Sequence, residues 1–439
     1  MRNKYIFFII VANILWAFIP IPVSSLFNDV SIFLVVFLRF FVAGLIFFLL
    51  AVGFVLLYNK YSSNSPISLE TLFKFTIHQN NNFFGFRNLG YFATLGFFGI
   101  ILQLITYFLA LKLTTISLAM IGFSISVIVL VLYQHGVKAE KLDIFKALYI
   151  IILVVSIIVI VLVKLEETQI SGVEINYGGI FFVVSFGFCL TFFQIAVKKD
   201  SYSKIEVEEL NKNKIYKLPR LFMKLSLTLL LGVALMFPFT LIILLIPTQT
   251  EVTQEIIQFY AQFPDVGLTF LRWEVLFLVF GATVVPYFLV FWASVKWSSY
   301  NLTFSQWNSI LTIIEPAGGI LFGVLIVNEY FPLGYLSIVL FLLLTSIMFR
   351  YVHESTNKIN AYLLISRKRK IMKDLPLKLL KLNGVISVDS LIGKYDLLVN
   401  VRTNSITHFR YLVNEDLRKI DDVSEIKIFF INKIHKLNI

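Results

Sequence analysis

Ten stretches of this chain are each long and apolar enough to cross a bilayer as helix, and this pattern decides what the chain can fold into. They run at roughly 4–26, 30–58, 91–111, 114–133, 144–164, 178–197, 221–246, 273–295, 303–327 and 332–351. A hydrocarbon core about 30 Å thick takes about 20 apolar residues in helical form, and these runs are too continuous for strands. Composition agrees: of 439 residues, 58% are hydrophobic and 15% charged, against about a quarter charged in soluble domains. The first run lacks a small-residue cleavage site and is followed at once by a second, which makes it a span and not a secretory signal.

The rarer residue types exclude several chemistries. Cys189 is the single cysteine and lies inside an apolar run, so neither a disulfide framework nor a cysteine metal site fits one chain. His78, His135, His353, His408 and His435 are scattered without ligand spacing, and no metal or cofactor is expected. A formal charge of +12 would suit nucleic acid. Here, however, the basic residues collect beside span ends, which is a topology signal, and no nucleic-acid partner is expected.

With the N-terminus in the cytoplasm, eighteen basic residues fall on the inner side, among them Arg2, Lys60, Lys146, Lys296, Arg350 and eight between Lys198 and Lys224. Only Lys112, Lys164 and Arg272 fall on the outer side. The asymmetry orients the chain as a multi-pass cell-membrane protein embedded in the lipid bilayer, and ten spans return the C-terminus to the cytoplasm. Residues 59–90 form a polar inner loop in which Ser68 to Phe75 fits either an interfacial helix or an ordinary connection, and residues 247–272 form its outer counterpart.

A shift of 189 residues brings Leu113-Thr114 onto Leu302-Thr303 and Glu140 onto Glu329, so spans four and nine correspond. With five spans per half, the second copy runs with opposite orientation, an inverted repeat of the kind secondary transporters use. Within these runs stand Asn13-Ile-Leu-Trp-Ala-Phe, Leu38-Arg-Phe-Phe-Val-Ala-Gly-Leu, Ala110-Leu-Lys-Leu-Thr-Thr with Glu140, and Glu315-Pro-Ala-Gly-Gly with Glu329. On these residues the chain resembles the EamA branch of the drug/metabolite transporter superfamily over about residues 1–352. It departs from that family at Val127, where a proline matching Pro316 is common, and in lacking a tryptophan near Cys189. The resemblance implies ten helices around a central cavity, alternating access, and movement of small metabolites, amino acids and related compounds among them. The repeats are expected at 1–164 and 178–352.

Arg39 lies about nine residues into span two, roughly 14 Å below its outer end. A mid-span arginine costs several kcal/mol unless it faces the bundle interior or meets a partner, so it reads as a substrate or coupling residue, with a structural pair or a snorkelling side chain as the alternatives. Glu315 lies at similar depth in span nine, beside Pro316 and near Gly318, Gly319 and Gly323, which let another helix approach. It fits a cavity-lining group that carries a proton or meets a substrate ammonium, or a structural ion pair with Arg39. Asn13, Gln103 and Asn308, with Gln194 and Gln306, add polar groups inside spans, where packing between helices competes with ligand contact. Trp16, Trp292 and Trp307 offer stacking surfaces or interface anchors. Pro20, Pro22 and Pro286 interrupt helical bonding, marking a site, a hinge or a kink. Glu140 and Glu329 end their spans at the water boundary, where they cap and position helices.

After Arg350 the apolar runs shorten to five to eight residues and charges of both signs appear. Ala361 to Ile365 reads as a strand, Ile371 to Lys381 as a helix, Val385 to Leu391 and Asp396 to Val401 as a hairpin, Ile406 to Ile420 as a second helix and Val423 to Ile431 as a last strand. The order βαββαβ defines a ferredoxin-like α+β domain. Ala361-Tyr-Leu-Leu-Ile, Asn383-Gly-Val, Gly393-Lys-Tyr-Asp396 and Ile420-Asp-Asp-Val-Ser-Glu-Ile make residues 359–435 resemble the Lrp/AsnC ligand-binding domain. That resemblance implies a homodimer formed through this domain and a bound small effector, with Gly393, Tyr395 and Asp396 as the positions carried over. A hairpin needs glycine and aspartate simply to turn, which is the competing reading. The helix-turn-helix of those regulators is absent.

The leading expectation is therefore a permease for a small-molecule substrate, with a cytoplasmic effector-sensing domain. A membrane-bound amino-acid sensor that no longer transports is the alternative. An enzyme is not expected, since no paired carboxylates, histidine cluster or activated nucleophile lies at depth.

Overall fold

The computed structural model describes residues 4–61, 68–70, 72–73, 87–136, 144–171, 176–197, 216–246, 250–297, 302, 304–356, 359–367, 375–380, 382, 384–403, 409, 412–418, 420 and 422–430. They form two compact units, residues 3–296 with 311–347, and residues 297–310 with 348–439. Among the described residues, ten helices are long and apolar enough to cross a membrane. They are Tyr5–Leu26, Ile32–Lys60, Leu89–Leu113, Ile116–Tyr133, Ile144–Gln169, Tyr177–Ala196, Lys217–Leu244, Trp273–Lys296, Phe304–Ile326 and Leu333–Ser355, numbered here as spans one to ten. The chain is thus an all-α membrane protein followed by a small α+β domain. Leu49, Leu57, Ile151, Leu162, Phe181 and Phe341 are exposed on the spans, as side chains surrounded by lipid can be. Of the expected polar loop 59–90, residues 59–61 and 87–90 belong to spans two and three and their helices, residues 69–70 and 72–73 are helical, and the Leu72 N–H donates to the Ser68 carbonyl. Glu140 and the basic loop 198–215 lie outside the described residues.

Proline breaks spans one and nine, while Pro238 sits inside the unbroken helix Lys217–Leu244 of span seven. Span one turns at Phe18–Ile19 ahead of Pro20 and Pro22, and span nine turns at Thr312–Ile313 ahead of Pro316. Spans three and eight instead widen into π-helix at Phe97–Ile101 and Phe277–Val284. Small residues let the helices close up. A Cβ on Gly96 would collide with the Thr228 carbonyl of span seven, and one on Gly318 or Gly319 would meet Ala17 of span one or Met120 of span four.

One membrane face of the bundle is tied by two buried carboxylates. Glu255, 2% exposed, sits on the helix Glu251–Gln262 between spans seven and eight. It accepts from the Ile32 N–H at 2.7 Å, so it caps span two, and it pairs with Lys112 at the end of span three. The neighbouring Ser31 N–H donates to Gln262 Oε1 at 2.9 Å, and Arg272 pairs with Asp29 at 3.2 Å. Glu329 follows span nine, where Asn328 takes a left-handed φ of 58° and the Glu329 N–H folds back to the Gly323 carbonyl at 3.1 Å. Its carboxylate accepts from the N–H and hydroxyl of Ser117, capping span four, and pairs with Lys164 at 2.8 Å. Glu329 does cap a helix, but in the other half of the chain and not its own.

In the C-terminal domain four antiparallel strands, β1 Ile359–Arg367, β2 Val385–Ser390, β3 Leu397–Thr403 and β4 Val423–Phe430, stand in the order β2-β3-β1-β4 of a ferredoxin-like sheet. Alternation decides the faces. Ala361, Leu363 and Ile365 of β1 with Leu397, Val399 and Val401 of β3 pack on Leu375 and Leu379 of the helix Leu375–Leu380 and on Leu412 and Leu417 of the helical turn Leu412–Leu417. The opposite face carries Tyr362, which pairs with Asn400 and Phe429 in register, and Leu364, which pairs with Leu398 and Lys427. Tyr362 and Phe429 are exposed there.

Removing one member of a buried ion pair costs about 3–5 kcal/mol. Replacing Glu255 or Glu329 with Gln, which keeps some hydrogen bonding, is expected to cost about 2 kcal/mol each, read as a lower melting temperature of the detergent-solubilised protein; an unchanged melting temperature would show that the carboxylates do not hold this face.

Candidate functional site

The site begins with one side chain whose burial demands compensation. Arg39 lies seven residues into span two, about 10 Å of helical rise from Ile32, and is 2% exposed. Snorkelling is therefore not its state. Its Nε donates to Thr283 Oγ1 at 2.8 Å and its Nη2 to the Ala282 carbonyl at 3.0 Å, both on the π-helical turn of span eight. Thr283 in turn donates to the Leu278 carbonyl five residues back at 2.8 Å, and Trp16 Nε1 shares the Ala282 carbonyl at 3.1 Å. Nη1 is buried and has no hydrogen-bond partner among the described residues.

Three groups lie within electrostatic reach of this guanidinium: Tyr287, Glu315 and Tyr107. Glu315 stands in the first turn of the helix Ile314–Ile326, the second segment of broken span nine. It is half-buried, and among the described residues no hydrogen bond or ion pair reaches its carboxylate. The structural ion pair with Arg39 is thus not formed: the two side chains lie within electrostatic reach and make no salt bridge. Next to it, Pro316 lines a small cavity of about 10 Å³ with Ser124, Gln194 and Thr312, room for about one water. Tyr107 is buried against Phe123 and Phe186, its hydroxyl 4.0 Å from Met120 Sδ. Tyr287 packs edge-on against Trp16 at 5.6 Å.

Asn13 and Trp16, three apart, share a face of span one. Asn13 Nδ2 donates to the Ile9 carbonyl at 2.8 Å, while Oδ1 is buried without a partner. Gln103, four residues before Tyr107 on span three, is half-buried, and its side chain makes no hydrogen bond among the described residues. Asn308 falls in the second compact unit with the start of span nine, where Gln306 donates to Glu354 at 2.9 Å and Trp307 packs on Tyr351. Five of the six sequence-assigned residues therefore belong to one unit. Tyr107, Tyr287 and Thr283 were not singled out by sequence, although a hydroxyl amid phenylalanines inside a span was the available signal.

At the tip of the β2–β3 hairpin, Gly393 takes a φ of +144°, a conformation glycine adopts freely. Asp396 closes the hairpin: its N–H donates to the Ile365 carbonyl at 3.0 Å, its carbonyl accepts from Leu391 at 2.8 Å, and its carboxylate accepts from the Arg367 N–H at 2.6 Å. That last bond satisfies the irregularity in β1 between Ser366 and Arg367. Tyr395 reaches Glu425 Oε1 at 3.4 Å.

Two stretches match known families. Residues 3–162 match the EamA-like transporter family and residues 360–438 the Lrp/AsnC ligand binding domain. The chain is a multi-pass membrane protein whose N-terminal spans are similar to EamA-like transporters and whose C-terminal part is similar to the Lrp/AsnC ligand binding domain. No curated protein matches it. A solved structure titled "Crystal structure of protein" shares 14% identity across 80% of this chain and 99% of that one, with a TM-score of 0.44, a likeness too distant to carry an argument.

Asp396→Ala is expected to cost the tail about 1–3 kcal/mol by orphaning the Arg367 N–H, seen as faster amide exchange at Arg367 and Leu391 in the full-length protein. Unchanged protection there would free Asp396 from its structural role.

Proposed function

We propose that the protein is a secondary transporter that moves small metabolites, amino acids or related compounds, across the cell membrane by alternating access between two inverted five-helix halves. The observation that carries this reading is the accumulation of unspent polar capacity in one bundle: the buried Arg39 Nη1 donor and Asn13 Oδ1 acceptor, without partners among the described residues, and beside them the half-buried Glu315 carboxyl. Each buried polar group left unmade costs about 1–3 kcal/mol, and an unpaired buried charge costs more. A zwitterion satisfies this set with its own groups, a carboxylate on Arg39 and an ammonium on Glu315. Gln103, Trp16 and the tyrosines Tyr107 and Tyr287 complete the proposed walls. The broken span places Glu315 at the start of a half-helix, the arrangement by which discontinuous spans present groups to a substrate.

The charge asymmetry supports cytoplasmic N- and C-termini, which makes the Glu255 and Glu329 face the outer one. The C-terminal domain then sits in the cytoplasm, where we read it as an effector-sensing and dimerising module with the hairpin residues Gly393, Tyr395 and Asp396 near the effector. Its uncovered sheet face, bearing Tyr362, Leu364, Leu398 and Phe429, supports association with a second copy. An effector alters transport only through different affinity for the transporter's conformations.

In proteoliposomes, counterflow of radiolabelled amino acids is expected to fall at least about tenfold in Arg39→Met and Glu315→Gln, the loss of about one charged contact each. Counterflow at the original rate in both variants sinks the assigned site, and binding without any counterflow in the native protein favours the sensor. Phe429→Glu with Tyr362→Lys is expected to convert a dimer to a monomer in sedimentation; a dimer that persists excludes the sheet face.

A further inference from the structure

Four prolines in or beside the breaks of these spans each deny a helical donor to the carbonyl four residues earlier, and at three of those carbonyls the N–H three residues on takes its place. Trp16, Phe18 and Thr312, four residues before Pro20, Pro22 and Pro316, accept from the N–H three residues on, at 3.1, 3.1 and 3.2 Å. Ala282, four residues before Pro286, follows a different course. The N–H three residues on belongs to Val285, which the π-helical turn directs to the Phe280 carbonyl instead. The Ala282 carbonyl accepts two side chains from other spans, Arg39 Nη2 at 3.0 Å and Trp16 Nε1 at 3.1 Å. Pro286 and Ala282 are both buried, so water does not supply the missing donor at the surface.

We propose that Pro286 is a positioning residue of the substrate site. By withholding an N–H from Ala282 it turns that carbonyl into the seat of the Arg39 guanidinium. The π-helical turn completes the seat, because it sets the Thr283 hydroxyl beside Arg39 Nε at 2.8 Å while that hydroxyl donates to Leu278. Two edges of the guanidinium are thereby fixed, and Nη1 is the nitrogen left for a ligand acceptor, which a carboxylate supplies in charge-assisted form. Trp16 is held by the same carbonyl, so the geometry of one peptide group orients both the cation and the aromatic wall. This inference rests on Arg39 binding the substrate; the seat itself does not.

The test gives residue 286 its N–H back. Pro286→Ala lets a regular helical bond to Ala282 compete with Arg39. In the full-length protein in proteoliposomes, with the amino acid that counterflow selects as probe, KM is expected to rise about tenfold, the worth of one misdirected hydrogen bond, with kcat within about twofold. Thr283→Val is expected to raise KM in the same way, and Thr283→Ser to restore it. A proline that merely shapes the span would lower kcat and melting temperature together and leave KM alone, and that pattern overturns the proposal. A melting cycle needs no substrate. Pro286→Ala is expected to raise the melting temperature in an Arg39→Met background, where the Ala282 carbonyl has lost its guanidinium, and to raise it less in the native background. Equal shifts in both backgrounds show that Arg39 and residue 286 do not share that carbonyl, and overturn the seat. If no amino acid is exchanged, the functional reading fails while the melting cycle still decides the seat. Should Pro286→Ala fail to insert, Thr283→Val against Thr283→Ser decides by the same KM criterion.

Discussion

A bilayer offers a peptide group no water, so every carbonyl inside it must find a donor within the protein. That requirement makes the spans helical, and it also explains the exceptions. Where proline removes a donor, the freed carbonyl takes one from nearby, and at Ala282 the donors are side chains from spans one and two. Arg39 can be buried at all because span eight was opened there. Backbone chemistry and the placing of a charge are thus one problem with one solution.

Much of this was legible beforehand. Ten apolar runs, the arginine at 39, the glutamate at 315 and the breaking prolines all stand in the sequence, and the spans fall within a few residues of where hydropathy puts them. The ferredoxin-like order of the tail followed from alternation in Ala361 to Ile365 and from the Gly393 turn. What sequence concealed was partnership. Nothing in the letters says that Arg39 meets Thr283, 244 residues away, or that Glu315 stands clear of Arg39. The π-helical turn was equally hidden, since a widened helix has the same apolar composition as a regular one. Asp396 shows the opposite limit: a residue suggested by family likeness has a visible structural duty at the Arg367 N–H.

The tail and the bundle solve burial differently. The tail has one filled face and one open one, so its alternating strands need either water or a second sheet over Tyr362 and Phe429. The spans expose apolar side chains such as Leu49 and Phe181 and bury polar ones such as Arg39 and Thr283 against other spans.

The two carboxylate clasps bear on how the chain is assembled. Glu255 and Glu329 are made late, yet the helix ends they cap and the lysines they neutralise, Ile32 with Lys112 and Ser117 with Lys164, are made early. As the ribosome delivers the chain, the leading five spans enter the membrane with two bare helix starts and with Lys112 lacking its carboxylate, while Lys164 has Glu167 of its own span at 2.8 Å. They reach their final arrangement only when the trailing spans arrive. The leading portion is thus an unfinished half, and synthesis order makes the second half its completing partner.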